Sequence, residues 1–361
     1  MKNRKLFLVL IAVIVAITFG LGACGGGGTS APPAGGSSPA APAGSSPAAP
    51  ADNGSAAAPA PSGSAAAPAD KPLVGISVPN NPTGWVGAVQ WTAKKKADAL
   101  GLNYKLVTSE NPNDQANKID DLIAMKPKYI VLFPENDELA VAAQKIKDAG
   151  IILVNFDRTL GDTKPDYYVA GDNKQMGVIG AQYITEKLGG KGGNIAIMNI
   201  PNYGSIFTER VNGAKSVFSQ DPTMKIIGEW ASDNGAPETV LPVMKDVLTA
   251  NPKIDAIYST DDEMSMGILQ AIKESGRTDI KVITGGGGWK DYFNVMNDYP
   301  NIWVSSQTYA PYMMNNCLDI VQKLINGETV PARTIIPPVN VDRTNYEQYM
   351  KDNGITADAP Y

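Results

Sequence analysis

IILVNFDR, residues Ile151 to Arg158, is the stretch on which the reading of this chain turns. Ile151 to Val154 is a continuous apolar run, placed directly after a helical pattern that stops at Gly150. Such a run predicts a parallel strand covered on both faces. Asp157 and Arg158 follow just past its carboxyl end, where open α/β sheets bind their ligands. A carboxylate accepts hydrogen bonds and a guanidinium offers a planar fork of donors. Side by side they suit a small molecule rich in hydroxyls. An ion pair in a surface loop would read the same way at this point.

Working outward, strands and helices alternate. Before the stretch, strands are predicted at Leu73 to Val78, Tyr104 to Val107 and Tyr129 to Phe133. Helices are predicted at Gly84 to Leu100, from about Asp114, and at Glu138 to Ala149. Tyr167 to Ala170 is the strand that follows the stretch. After Asp172 the pattern starts again, with strands at Asn194 to Met198, Lys225 to Trp230, Ile254 to Tyr258, Lys281 to Thr284 and Ile302 to Ser305. Helices lie between them, and the last runs from Tyr309 to Ile325 and stops at Gly327. Strict β-α alternation implies parallel sheets with helices on both faces, here in two successive sets. The expected fold is α/β, two doubly wound parallel-sheet lobes.

Composition narrows the chemistry. The chain has 361 residues, a net charge of -5 and no histidine. Its acidic balance argues against nucleic acid as a partner. Without histidine there is no Ser-His-Asp triad and no His-ligated zinc. Cys24 and Cys317 are the two cysteines, too few for a disulfide framework. Lys2, Arg4 and Lys5, the apolar run Leu6 to Phe19 and then Leu21-Gly22-Ala23-Cys24 read as a signal peptide. The last four residues resemble a bacterial lipobox, in which Cys24 is lipidated and becomes the mature N-terminus. An uncleaved anchor is the alternative, since Leu6 to Ala23 is barely long enough to span. Residues 25–70, almost wholly Gly, Ala, Pro and Ser, cannot bury enough surface to fold and are expected to form a disordered tether. Cys317 then has no partner and reads as a small buried hydrophobe.

In such a fold the chemistry belongs to the βα loops. These carry Asn80, Asn81 and Trp85, then Asp157 and Arg158, then Tyr203 with Arg210, then Trp230. Asp261, Gly286, Gln307 and Tyr309 complete the candidates. The set holds no nucleophile-base pair. Its polar groups can bind vicinal hydroxyls, and an aromatic ring can stack on the C–H face of a sugar. Trp85, Trp230 and Trp289 could instead be core, Arg210 a solvated helix face, and Asp262 the cap of the helix it opens. Gly285 to Gly288 fails the P-loop pattern, because Trp289-Lys290-Asp291 follows. It reads as backbone approaching a ligand closely.

These loops resemble the type I periplasmic binding proteins, in particular the ribose-binding-protein-like branch, over nearly all of residues 72 to 340. The landmarks are NNPTGW (Asn80 to Trp85), NFDR (Asn155 to Arg158), GDN (Gly171 to Asn173), ERVNGA (Glu209 to Ala214) and TDDEMSMGILQAI (Thr260 to Ile272). The resemblance implies two lobes joined by a three-crossover hinge that closes on a sugar and is then recognised by a membrane permease. By position, Asp157, Arg158, Arg210 and Asp261 match the family's polar ligand contacts. Asn80, Asn81 and Trp85 match its first-loop contacts, and Tyr309 falls where Gln is frequent. Many relatives carry Asp where this chain has Gly286, and ribose binders have Asn at Pro134 or Glu135, so a sugar other than ribose, or another pose, is implied.

The expected protein is therefore an extracytoplasmic solute-binding lipoprotein, held to the cell membrane in the cell envelope or periplasm by the lipid on Cys24. It would be a monomer that captures a monosaccharide or similar polyol and delivers it to an ABC importer permease. It would be neither an enzyme nor a user of metal or cofactor. A module reporting the same ligand to a receptor or kinase is the alternative. The expected lobes are 71–171 with 309–337, and 172–308 with 338–361.

Overall fold

A computed structural model describes residues 71–361 apart from Pro82, and only the backbone of Tyr203. The expected signal segment 1–24, the expected lipidation at Cys24 and the expected tether 25–70 lie outside the described residues. The chain opens with β1 (Val74–Pro79), α1 (Gly84–Ala99), β2 (Tyr104–Ser109), α2 (Pro112–Ala124), β3 (Tyr129–Leu132), α3 (Ala140–Asp148), β4 (Ile152–Phe156) and β5 (Tyr167–Gly171). It continues through α4 (Asn173–Lys187), β6 (Gly193–Asn199), α5 (Ser205–Phe218), β7 (Met224–Ala231), α6 (Pro237–Ala250), β8 (Ala256–Ser259) and α7 (Asp262–Ser275). Next come the two-residue strands β9 (Val282–Ile283) and β10 (Gly286–Gly287), α8 (Lys290–Val295) and β11 (Trp303–Thr308). The last elements are α9 (Met314–Ile325), β12 (Arg333–Ile336), β13 (Asn340–Asp342) and α10 (Tyr346–Asp352).

The strands form a six-stranded sheet of order β12-β5-β4-β3-β1-β2 and a seven-stranded sheet of order β10-β11-β9-β8-β6-β7, with β13 on β11. The β11–β13 pairing is antiparallel. The chain thus passes between the sheets after β5, after β11 and after β12. The inner strands β3, β4 and β8 are buried along nearly their whole length, which is why they read as largely apolar runs. Val74, Ile76 and Val78 of β1 and Val131 of β3 are fully buried against Cys317, Leu318 and Val321 of α9. Cys317 is a free thiol whose pKa burial pushes up. In the second lobe Met198, Ile257, Ile268 and Val304 lie in one core cluster. Among the described residues no helix is long and apolar enough to cross a membrane.

Candidate functional site

Asp157 stands one residue past β4 with φ of 64°, a left-handed backbone that Asp tolerates better than most residues. Its N–H donates to the Val169 carbonyl at 2.8 Å, and its own carbonyl accepts the Tyr168 hydroxyl at 2.6 Å. These bonds lock the turn. The carboxylate accepts a hydrogen bond from the Tyr309 hydroxyl. Arg158 has different partners. Its Nη1 donates to the carbonyls of Pro134 and Glu135, and its guanidinium lies over the Phe133 ring at 4.8 Å.

An aromatic wall stands beside them. Asn81 Oδ1 accepts the Thr83 N–H at 3.1 Å in the turn before α1, and Gly84 opens the helix at φ of 65°. Trp85 follows, half-buried, parallel to Phe156 at 6.0 Å and edge-on to Phe133 at 5.8 Å. Its indole N–H donates to the Tyr309 carbonyl at 2.6 Å. Tyr309, in the second passage between the sheets, has its ring over Gly171, where any Cβ would overlap it. The Asn173 amide reaches the Tyr309 hydroxyl at 3.5 Å. The GDN segment thus supplies room for Tyr309 at Gly171, the cap of α4 at Asp172 and a polar bridge at Asn173.

Arg210 comes from α5. A Cβ at Gly177 would overlap the Arg210 carbonyl, and one at Gly213 would overlap the Lys174 carbonyl, so α4 and α5 touch backbone to backbone. That contact lets Arg210 Nε donate to Asn173 Oδ1 at 2.9 Å while Nη1 donates to the Thr260 carbonyl at 2.8 Å. The guanidinium lies 5.2 Å from the Tyr309 ring centroid. Arg210 is 5 % exposed, so it is not a solvated helix face.

Asp261, and not Asp262, caps α7, its Oδ1 accepting the N–H groups of Glu263 at 2.9 Å and Met264 at 3.2 Å. Asp262 turns back under the glycine loop. Its Oδ2 accepts from Gly288 N at 2.8 Å, Trp289 N at 2.8 Å and Ser306 Oγ at 2.7 Å, and its buried Oδ1 has no partner. Burial pushes its pKa up to about 7. Burial likewise raises Asp157 against the Tyr309 hydrogen bond and the charges of Arg158 and Arg210. Asp261 is raised by burial and countered by Arg210. Glu263 is pushed up to about 7 by burial and by the like charges of Asp261 and Glu238.

The structure therefore brings together Trp85, Asp157, Arg210 and Tyr309, with Asp261 in the field of Arg210. It places other candidates differently. Asn80 is exposed and donates to Glu110 at 2.6 Å. Trp230 lies on the edge strand β7, its ring over Gly228. Gln307 is buried in β11, donating to Ser305 and to Asn340 at 2.6 Å. The backbone at Gly286 is crowded by the Thr260 carbonyl and the Met176 methyl. Tyr203 ends the turn Pro201–Tyr203, and its side chain is outside the described atoms. Asn173, Phe133, Phe156 and Tyr361 were not among the sequence candidates. The first three sit within or beside motifs already singled out, but nothing in the sequence marks Tyr361. Chemically the cluster offers carboxylate acceptors, a guanidinium and aromatic faces. Among the described residues no group of acidic or cysteine side chains is placed to hold a metal ion.

The chain matches the family described as periplasmic binding protein domain over residues 74–329. It is 28% identical over 259 residues to the xylitol-binding protein of Mycolicibacterium smegmatis, covering 68% of this chain and 72% of that one. It is 29% identical over 262 residues to the ribose import binding protein of Escherichia coli, covering 72% and 86%. Among solved structures it resembles a solute-binding protein from Actinobacillus succinogenes with bound D-allose, with TM-score 0.68 and 23% identity, covering 77% of this chain and 100% of that one. A periplasmic ribose ABC transporter protein from Conexibacter woesei gives TM-score 0.70 at 20% identity, covering 78% and 95%. With the two parallel-sheet lobes and the matched domain, the chain belongs to the type I periplasmic binding proteins, in their ribose-binding-like branch.

Proposed function

We propose that this protein is an extracytoplasmic solute-binding lipoprotein that captures a monosaccharide or similar polyol between its lobes and delivers it to an ABC importer permease. The observation that carries the reading is the chain of contacts Asp157–Tyr309–Asn173–Arg210–Thr260, which runs from the end of β4 to the loop before α7. It supplies buried acceptors and donors beside the Trp85 wall, and nothing in it is suited to break a bond. Closure would bring a ligand's hydroxyls to Asp157 and Arg158 from one side and to Arg210 and Asp261 from the other. The relatives named for xylitol and ribose support a small polyhydroxylated ligand. The membrane attachment rests on the lipobox at Cys24. Isothermal calorimetry of the chain against a panel of pentoses, hexoses, furanoses and polyols tests the reading. Saturable binding of at least one is expected, and binding of none overturns it. Metabolic labelling with a palmitate analogue, lost in Cys24→Ala, tests the anchor.

A further inference from the structure

The tail beyond α10 returns to the glycine loop. Lys290 Nζ donates to the carbonyls of Ala357 at 2.9 Å and Ala359 at 2.6 Å, fixing the tail on the second lobe. The Tyr312 hydroxyl, at the start of the turn leading into α9, donates to the Tyr361 carbonyl. Two elements thus hold Tyr361, which is 2 % exposed. Its ring lies 6.3 Å from Trp289. Its hydroxyl lies against Gly287, where any Cβ would overlap it. The Gly287 carbonyl in turn accepts the Tyr309 N–H at 3.1 Å. The Tyr361 phenol therefore stands one residue's backbone away from Tyr309, in the field of Arg210, Asp261, Asp262 and Glu263. Gly285 to Gly288 project no side chain here, so the glycine loop offers only backbone beside the Tyr361 phenol.

We propose that Tyr361 is a ligand-contacting, specificity-setting residue, supplying from the tail the polar and aromatic group that the glycine loop lacks. The inference rests on the sugar-binding reading above. A phenol is rigid and carries both an aromatic face and one hydroxyl, so it can stack on a sugar's C–H face or bond one ring hydroxyl. Gly287 is then required for a second reason beside its φ of 144°, because a side chain there would expel the phenol.

The test titrates the full chain, Tyr361→Phe and Tyr361→Ala against the same sugar panel, with melting temperatures measured without ligand. Tyr361→Phe is expected to keep the melting temperature and to change the affinity ratio between epimeric sugars by up to about tenfold, the worth of one hydrogen bond. Tyr361→Ala is expected to weaken every sugar and to reorder the panel. Tail packing alone would lower the melting temperature and scale all affinities alike. That outcome, or unchanged affinity ratios in both Tyr361→Phe and Tyr361→Ala, overturns the assignment while leaving sugar binding intact. A wild-type chain that binds no sugar overturns both.

Discussion

Tyr309 meets more of the site than any group the motifs name. Its hydroxyl donates to Asp157, its carbonyl accepts from Trp85, and its ring lies under Arg210 and over Gly171. Tyr309→Phe removes the donor from a buried carboxylate, at a cost of about 1–3 kcal/mol. Without that donor Asp157 is raised further above its unfolded value. Its favourable contribution is then complete at acid pH and lost as pH rises, so the variant's deficit is larger near neutrality than at pH about 4. Thermal denaturation at both pH values checks this. Asp262 obeys the same sign. Its folded pKa of about 7 exceeds the unfolded carboxylate value, so the protonated form is the better bound one. The stability it contributes is present below about pH 4 and lost as pH climbs through about 7. Asp262→Asn, whose carbonyl can accept the same three donors, flattens the urea midpoint across that window. A midpoint with unchanged pH dependence would rule out Asp262 as its source.

Elements show what the sequence could and could not convey. The apolar runs predict β1, β3, β4 and β8 because these strands are buried along nearly their whole length, with Ser77, Asn155 and Ser259 the polar exceptions. Phe156 extended β4 beyond the predicted Val154, since the strand continues until Asp157 turns left-handed. The edge strand β12 and the short β13 carry no such apolar run. Their residues, Arg333–Ile336 and Asn340–Asp342, flank a proline pair and carry mixed polarity. The loop that holds Asp157 is legible from the end of β4, whereas Arg210 lies inside α5, beyond the loop after β6, and Tyr361 reaches its place through a tail with no periodicity. Helix contact is where a small change should do most. A methyl at Gly177 has nowhere to go but the Arg210 carbonyl, so Gly177→Ala must part α4 from α5. We expect a loss of about 1–3 kcal/mol in stability, as for other overpacked interiors, together with weakened ligand affinity as Arg210 leaves Asn173. Alanine at Gly189, which has open space around it but φ of 68°, is expected to lower stability while leaving affinity alone.

The whole molecule is two sheets sharing a cluster that neither completes alone. Arg210 belongs to the second lobe, yet its guanidinium lies over Tyr309 and acts on Asp157 of the first. Bound ligand should therefore favour the closed arrangement by an amount equal to its extra affinity for that state. Small-angle scattering is expected to show a smaller radius of gyration with saturating sugar in the wild type. Arg210→Ala should show no such contraction. Contraction of equal size in the variant would mean that closure does not depend on this side chain.

The bond between Tyr309 and Asp157 has a consequence for selectivity. The Asp157 carboxylate already accepts a hydrogen bond from the Tyr309 phenol, so under the proposed function a ligand hydroxyl that took its place would exchange one hydrogen bond for another. Such an exchange is nearly neutral in energy, and the displaced phenol must find a new acceptor. Hydroxyl count is then a poor guide to preference at this corner. Under that proposal, candidates would be sorted by whether their outline lets the tyrosine swing aside and still be satisfied, favouring ligands of matching shape over those merely richer in oxygen.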